Sequence, residues 1–403
     1  MPRGLLRELA DQDDVASVSV DAKVTAMQSM PTPGATFTVT STANSGAGTL
    51  RQAILDANAR PGYDAIVFNI SGSGVRTISP TSPLPGIWSP VLLDGWSQPG
   101  FTSTPLIQLN GTNAGASAEG LAFWSGSDGS TVRGFVINRF DGRGIESWQV
   151  NNLTVQGNWV GLSSNGLSAS PNNENGVYLG RGTGHVVGGT GANQRNVLSG
   201  NGQRGLVFDR VSNSTVVGNY VGTDVQGVND VNGTVTNYAQ SGMVLWGDST
   251  NNVIGGTTPA ERNVFSGNNH YGLEFAAPGV VNNVARGNYF GVSSTGSSAL
   301  PNKSGGASYW GAGPGNVVGG TAPGAGNVLS GNLGHGVYVG NFTTGAIIQG
   351  NNIGMNAGRT ASLGNAWEGV FFDQSSNGLV GGTAPGAGNT IVGSGLAGVA
   401  VVG

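Results

Sequence analysis

Aromatic and acidic side chains recur at fixed offsets from a four-residue motif of a glycine, an apolar residue, any residue and a second apolar residue. In a strand the apolar second and fourth positions face one way, so the third and fifth positions face outward. The fifth position holds Trp124, Trp148, Asp209, Trp246, Trp310 or Asp373. The third position supplies Glu146, Tyr178, Glu274, Tyr338 and Phe371.

An outward row of flat aromatic side chains mixed with carboxylates predicts a carbohydrate-binding face. Aromatic rings stack on the apolar faces of sugars, and acids accept hydrogen bonds from hydroxyl groups. The alternative is that a long turn folds over this face and buries the tryptophans as a satellite core. The residues predicted to bind carbohydrate are Trp124, Trp148, Tyr178, Trp246, Trp310 and Tyr338.

Three acids form a candidate set for polysaccharide cleavage. Glycosidases act with two carboxyl groups held a short distance apart. Asp209 and Asp248 fall on adjacent repeats, two positions out of register, and Glu274 lies one repeat further along, near Trp246. The alternative is that these are solvated acids in turns. A lyase would need a cluster of acidic residues to bind calcium and a basic residue to abstract a proton. Arg210 is the candidate for the basic residue.

No cofactor, metal or nucleic-acid site is expected. The chain has no cysteine, and His185, His270 and His335 form no short pair, so they are interpreted as solvated turn residues. The segment GGTAPGAGN at 319–327 and 381–389 is followed by no lysine of a phosphate-binding loop and is interpreted as a turn. The 17 basic residues are scattered singly, which argues against nucleic acid as a partner.

Internal repeats indicate which elements position these side chains. Of 403 residues, 73 are glycine and only 9 % are charged, which is unlike a helical enzyme. The segment VVGGT at 186–190 returns as VIGGT at 253–257, VVGGT at 317–321 and LVGGT at 379–383. The four-residue motif starts ten times, at 120, 144, 176, 205, 242, 272, 306, 336, 369 and 398.

Each interval between motif starts contains about three short runs in which apolar residues alternate with other residues. For example, GMVL, NNVIGG and RNVFSGN lie between 242 and 268. Such short strands bury no face alone and must stack on the next interval. The repeats predict an all-β, right-handed parallel β-helix of about ten coils, with the asparagine of each SGN segment bonded to its equivalent one coil away. A propeller is the rival, but its blades need four antiparallel strands.

The chain divides into three predicted parts. Residues 1–29 form a linker or propeptide-like segment, 30–105 a small α/β N-terminal cap, and 106–403 the β-helix repeats. In the cap, GTLRQAILDANA at 48–59 places Ala53, Ile54 and Ala57 on one side of a helix. The sequence ends within a strand motif, GVAVVG, so either truncation or continuation into another module is expected. No apolar run is long enough for a membrane-spanning helix, and the first 14 residues lack the apolar stretch of a signal peptide.

Two segments carry resemblances to known families. GAGTLRQAILDANA at 46–59 resembles the CSLREAI-type motif that opens many bacterial surface proteins, with glycine in place of the cysteine. VLLDGWSQPG at 91–100 and the repeats after it resemble the right-handed β-helix repeats that follow that motif. LLRELADQDDVASVSVDAKV at 5–24 is similar to the last helix and strand of subtilase propeptides.

The resemblance implies a secreted or surface-attached bacterial protein of a family that includes adhesins, cell-wall proteins and polysaccharide-active enzymes. We therefore expect a glycan-binding, adhesive or structural module with a polysaccharide or cell-surface glycan as its partner. The alternative is a polysaccharide hydrolase or lyase acting in a groove on the β-helix.

Overall fold

The computed structural model describes residues 31–232 and 240–403, which build three parallel β-sheets around one hydrophobic core. The chain passes from sheet 3 to sheet 1, then to sheet 2, and back to sheet 3 one coil further on. Every pairing between named strands within these sheets is parallel, for example Leu206↔Met243 in sheet 3. This is the predicted parallel β-helix. The propeptide-like segment at 5–24 lies outside the described residues.

The strands are short, with two to six residues each. Sheet 1 has twelve, Thr36–Val39, Asp64–Phe68, Val91–Asp94, Thr131–Arg133, Thr154–Gln156, Val186–Gly188, Thr215–Val217, Val253–Gly255, Val284–Arg286, Val317–Gly319, Ile347–Gln349 and Leu379–Val380. Sheet 2 has eleven, Arg76–Ile78, Ile107–Asn110, Phe135–Asn138, Trp159–Val160, Val197–Leu198, Tyr220–Val221, Val264–Phe265, Tyr289–Phe290, Val328–Leu329, Asn352–Ile353 and Thr390–Ile391. Sheet 3 has ten, Leu121–Trp124, Ile145–Trp148, Val177–Gly180, Leu206–Asp209, Met243–Trp246, Tyr271–Ala276, Gly305–Trp310, His335–Gly340, Val370–Asp373 and Val399–Val402.

The ten strands of sheet 3 correspond to the ten predicted motif starts. The second and fourth motif positions point into the core, as Leu206 and Phe208 do with no exposed surface. Burying such a side chain contributes about 1.5 to 3 kcal/mol to the free energy of unfolding. Because one coil cannot bury these side chains alone, it gains this stability by stacking on its neighbours.

The N-terminal part continues the same sheets. Strands Thr36–Val39, Asp64–Phe68 and Val91–Asp94 belong to sheet 1, and Arg76–Ile78 belongs to sheet 2. An α-helix over Leu50–Asn58 begins after Thr49, whose side chain accepts a hydrogen bond from the backbone NH of Gln52, and a short 3₁₀ helix spans Gly95–Ser97. The buried side of the α-helix includes Ala53, Ile54 and Ala57, as predicted. The domain boundary near residue 105 stays a prediction.

Two buried rows of asparagines bridge the coils beside sheet 2. In the first row the side-chain amide of each asparagine donates a hydrogen bond to the asparagine of the next coil. The members are Asn158, Asn196, Asn219, Asn263, Asn288, Asn327, Asn351 and Asn389. The second row contains the SGN asparagines, for example Asn268, whose amide donates to Asn302 at 2.9 Å. The predicted asparagine bonding from one coil to the next is therefore confirmed, although Asn302 itself lies outside an SGN segment. No helix in the described part of the chain is long and apolar enough to cross a membrane.

Candidate functional site

The outward positions of sheet 3 are aligned across coils as the motif register requires. Trp124 pairs with Trp148, and Asp209 pairs with Trp246 on the following coil. Trp310 continues the same row two coils after Trp246. We call this outward surface of sheet 3 the aromatic face.

The tryptophans of the aromatic face retain access to solvent. Trp310 is 47 % exposed, and Trp124, Trp148 and Trp246 are partly exposed. Tyr178 is buried, with its ring stacked on Trp148 at 6.4 Å between centroids. The assignment of these residues to carbohydrate binding stays a prediction.

Glycine follows tryptophan at two places in the row, on the coil after Trp148 and on the coil after Trp310. Gly180 pairs with Trp148, and a Cβ atom at Gly180 would lie 2.4 Å from the Trp148 ring. Gly340 pairs with Trp310, and a Cβ there would lie 2.2 Å from the hydroxyl of Tyr338. The Trp148 ring therefore occupies the space that a side chain at Gly180 would need.

Two open depressions lie where the strands of sheet 3 end. The first, of about 530 Å³, is polar and is lined in part by Gln149, Arg181 and Arg210. The second, of about 580 Å³, is lined in part by Trp310 and by Phe342, which is 75 % exposed. The row of rings is thus bordered by hollows along the same edge.

Acidic side chains gather beside Trp148 around a single arginine. Arg143 binds Glu146, lies 3.1 Å from a carboxylate oxygen of Glu174, and donates its backbone NH to Glu119. We call these side chains, together with Tyr178 and Asp209, the acidic cluster. Its members are Glu119, Arg143, Glu146, Glu174, Tyr178 and Asp209.

The acidic cluster holds a carboxyl group whose pKa is raised into the neutral range. Burial, with repulsion from Glu146, raises the pKa of Glu119 to about 7. Burial also raises the pKa of Glu146, which shares a hydrogen bond with Glu119. The guanidinium of Arg143 lies 4.2 Å from the centre of the Tyr178 ring, and the Tyr178 hydroxyl donates to Asp209 at 2.6 Å. A proton donor and an ion-paired carboxylate therefore occupy one network.

The three predicted catalytic acids have separate surroundings. Asp209 is buried and bonded to Tyr178 and to Arg210. Glu274 is partly buried and accepts from Ser241, with its carboxylate 3.0 Å from Nδ1 of His270. Asp248 is exposed in the turn after Trp246. Their catalytic role stays a prediction.

A second cluster of rings lies further along the aromatic face. His335 stacks on Phe371 at 5.1 Å and meets Trp367 edge to face at 4.9 Å. Its Nδ1 lies 3.1 Å from Glu368. Tyr338 stacks on Trp310 at 5.7 Å, and burial and a hydrogen bond to Asp373 raise the pKa of Tyr338 to about 12.

The interpretation of the histidines as solvated turn residues was wrong for two of them. His185 is 1 % exposed and His335 is 6 % exposed. His185 accepts the backbone NH of Leu153 across the coil, and burial lowers its pKa to about 4. Neutral imidazole thus serves as a buried packing and hydrogen-bonding group. Among the residues that the structure describes, no group of three or more His, Asp or Glu side chains could hold a metal ion.

Sequence reasoning overlooked the position immediately before each motif glycine. That position supplies Glu119, Arg143, Arg204, Ser241, Tyr271, His335 and Glu368. Arg204, for instance, places its guanidinium 4.8 Å from the centre of the Trp246 ring. A tally of this preceding position would have revealed the polar side chains that surround the rings.

Replacing Glu119 by Gln should alter how stability depends on pH. The folded pKa of about 7 exceeds the usual 4.5, so this carboxyl stabilises the fold fully below pH 4.5 and loses that contribution as pH rises through about 7. Relative to the wild type, Glu119→Gln should therefore gain about 1 to 2 kcal/mol between these limits, after discounting for partial exposure. Denaturant unfolding at a series of pH values measures the difference.

Asp141→Asn is the matched control for this pH series. Asp141 is exposed, and hydrogen bonds from Ser117 and Asn173 lower its pKa, so its stabilising effect is present at neutral pH and is lost in acid. A flat difference curve for Glu119→Gln between pH 4.5 and 7 would contradict the protonated state assigned to Glu119.

Three parallel sheets stacked coil on coil make this chain a parallel β-helix protein. No protein-family model matches the sequence. No curated protein matches it either.

Several solved structures have a similar backbone at low sequence identity. The A-module of the Azotobacter vinelandii mannuronan C-5 epimerase AlgE4 is 13 % identical, with a TM-score of 0.49 over 91 % of this chain and 96 % of that one. The A-module of AlgE6 from the same organism is 15 % identical, with a TM-score of 0.48 over 91 % and 99 %. The pectate lyase Pel9A is 13 % identical, with a TM-score of 0.37 over 86 % and 78 %.

Proposed function

We propose that the chain is a secreted or cell-surface bacterial protein that binds a glycan along the aromatic face. The observation that carries this proposal is the coil-to-coil alignment of partly exposed tryptophans on one outward surface. Trp124, Trp148, Trp246 and Trp310 present ring surface at intervals set by the strand spacing of about 4.8 Å per coil. An extended polymer lying across the coils would meet several rings at once.

Sugar chains suit this surface better than apolar partners do. The rings are interleaved with carboxylates and guanidinium groups, which bind hydroxyls rather than hydrocarbon. Next to Trp148, Arg181 lies 5.0 Å from the ring centre, while Glu174 and Asp209 lie in the adjoining acidic cluster. Aromatic stacking would supply affinity, and the polar groups would select among sugars.

Replacing Trp246 and Trp310 by Ala should weaken glycan binding without unfolding the protein. Each truncation removes a stacking surface worth about 1 to 2 kcal/mol, which is roughly a fivefold to thirtyfold loss of affinity. A glycan array would identify the ligand, and titration of tryptophan fluorescence would measure the dissociation constants. Circular dichroism should show an unchanged fold, because these side chains lie outside the core.

Trp159→Phe is the matched control, because it removes an indole from sheet 2 and leaves the aromatic face intact. Equal losses in the control and in the Trp246 and Trp310 variants would contradict binding at the aromatic face. No response from any glycan would favour the alternative of a purely structural or adhesive module.

A second candidate function is polysaccharide cleavage, as a hydrolase or lyase. The observation that favours it is the contact of Glu119 with Arg143 in the acidic cluster, where burial and Glu146 raise the pKa of Glu119 to about 7, together with the ion-paired carboxylate of Asp209 at the other end of the cluster. General acid catalysis requires a carboxyl group that keeps its proton near the working pH. The earlier candidates Asp248 and Glu274 remain part of this hypothesis as alternative acids.

A further inference from the structure

The outer surface of sheet 2 forms the floor of a groove that the proposed function does not use. One wall consists of four hairpins that follow alternate strands of sheet 2, each closed by an antiparallel bridge such as Thr223↔Asp230. Successive hairpins are bonded to each other, since Ser294 donates its backbone NH to Gly227 at 2.8 Å and Ala357 to Gly296 at 2.8 Å.

The opposite wall consists of the glycine-rich loops between sheets 1 and 2. These are the GGT segments at 188–196, 255–263, 319–327 and 381–389. Successive loops are close, because a Cβ at Gly324 would lie 2.1 Å from the carbonyl oxygen of Thr257, and one at Gly386 would lie 2.3 Å from that of Thr321. The loops interpreted as turns therefore build a continuous ridge.

Arginines of the glycine-rich loops lie against tyrosines of the sheet 2 strands, and this pair repeats every second coil. Arg195 lies 4.1 Å from the centre of the Tyr220 ring and donates Nε to the carbonyl of Gly218 at 3.0 Å. Arg262 repeats this geometry, 4.1 Å from the centre of the Tyr289 ring and bonded to the carbonyl of Gly287. Each guanidinium is thus oriented by a ring and a backbone oxygen.

The third repeat lacks the arginine and tyrosine pair, and a positive charge comes instead from a hairpin of the first wall. Gly326 stands where the arginine would be, and Asn352 stands where the tyrosine would be. Arg359, on the fourth hairpin, faces the same hollow of about 530 Å³ as Arg262. The lining of this hollow contains these two arginines and no acidic residue.

Arg195, Arg262 and Arg359 form no ion pair with an acidic side chain among the described residues, unlike Arg143 and Arg210 of the aromatic face. Arg143 and Arg210 form ion pairs within the coil surface. The acid next to Arg262 in sequence, Glu261, is instead bonded to the backbone and hydroxyl of Thr258. Positive charge therefore remains available to a ligand in the groove.

We propose that the groove on sheet 2 binds a linear carboxylated polysaccharide, with its carboxylates paired to Arg195, Arg262 and Arg359. Guanidinium groups pair with carboxylates through two parallel hydrogen bonds, and orientation by a ring leaves the outer nitrogens free for this. The hollow is also lined by Pro323, which is exposed, and Ala322, which is partly exposed, and both suit the apolar faces of sugar rings. A phosphate polymer is disfavoured, since the chain has a net charge of −4 and the groove offers only three arginines.

The test is binding of defined polygalacturonate oligomers to the full chain, measured by calorimetry. The Arg262→Gln and Arg359→Gln variants should each lose about tenfold in affinity, and both losses should shrink as salt is raised. Fully methyl-esterified oligomers should bind at least tenfold more weakly than the free acids. Thermal unfolding confirms that each variant is folded.

Controls separate this groove from the aromatic face. Lys303→Gln removes the same charge at an exposed position outside the groove and should leave the affinity unchanged. The losses in Arg262→Gln and Arg359→Gln are expected whether or not the aromatic face binds a glycan, so failure of glycan binding at the aromatic face would not affect this result. Equal affinity for acid and ester, equal losses in Lys303→Gln, or tighter binding of single-stranded DNA than of polygalacturonate would each overturn the proposal.

Discussion

Replacing Asn263 by Leu should lower the free energy of unfolding by about 3 to 5 kcal/mol, although the two side chains are similar in size. Asn263 is fully buried in the first asparagine row. Its carbonyl oxygen accepts the backbone NH and the side-chain amide of Asn219, both at 2.9 Å, and its own amide donates to Val216 and Asn288. Leucine would leave these partners buried and unsatisfied, at about 1 to 3 kcal/mol for each group not rescued by relaxation.

Denaturant unfolding of the wild type and the variant measures this loss. Asn165→Leu is the matched control, since Asn165 is exposed on the first hairpin and its bonds to Leu167 and Ser163 face solvent. The control should lose about 1 kcal/mol or less. Similar losses in both variants would show that the buried row contributes no more than an exposed turn does.

The asparagine row explains why the fold could be predicted from the sequence. The fold requires the same three features in each coil, which are inward-facing apolar residues, glycine at the corners and an asparagine side chain at the buried turn. These demands are local, so they appear in the sequence as the motif starts and as SGN or GN segments. Positive φ at Gly222 and Gly291, both directly after sheet 2 strands, shows the corner requirement.

The candidate sites were only partly predictable because they depend on contacts between coils outside the strands. Strand alternation placed Trp246 and Trp310 on one face, since side chains in a strand alternate in direction. Glu119 and Arg143 precede their strands, and only the stacking of adjacent coils brings them together. The pairing of Arg262 with Tyr289 likewise joins a loop of one coil to a strand of the next.

The burial of His335 was unpredictable for a related reason. Its neighbours Trp367 and Phe371 come from the following coil and are more than 30 residues away in sequence. A histidine in a polar, glycine-rich segment has no local signal of such packing. The polar, glycine-rich composition therefore predicted a solvent-exposed histidine, whereas the structure buries His335 in a cluster of rings.

If the protein cleaves a polysaccharide at the acidic cluster, replacing Glu119 by Gln should reduce the cleavage rate by about 100-fold to 10,000-fold. Glutamine keeps the shape of the side chain and cannot donate the proton that a leaving sugar oxygen requires. Because the pKa of Glu119 is raised to about 7, the wild-type rate should fall as pH rises through that value. Release of reducing ends from neutral and acidic polysaccharides between pH 5 and pH 9 is the measurement, with this range chosen to span roughly two pH units on each side.

Variants of the other acids decide which carboxyl groups take part. Asp209→Asn should also abolish cleavage, because Asp209 is the ion-paired carboxylate of the same network, bonded to Tyr178. Asp248 is exposed and lies outside the acidic cluster, so Asp248→Asn should retain the wild-type rate. Loss of cleavage in Asp248→Asn with full activity in Glu119→Gln would move the chemistry to the acids first identified in the sequence. Absence of cleavage by the wild type would remove the catalytic role of Glu119. Its raised pKa would then be a consequence of burial beside Glu146, because loss of solvent next to another carboxyl raises a pKa whether or not a substrate uses the proton.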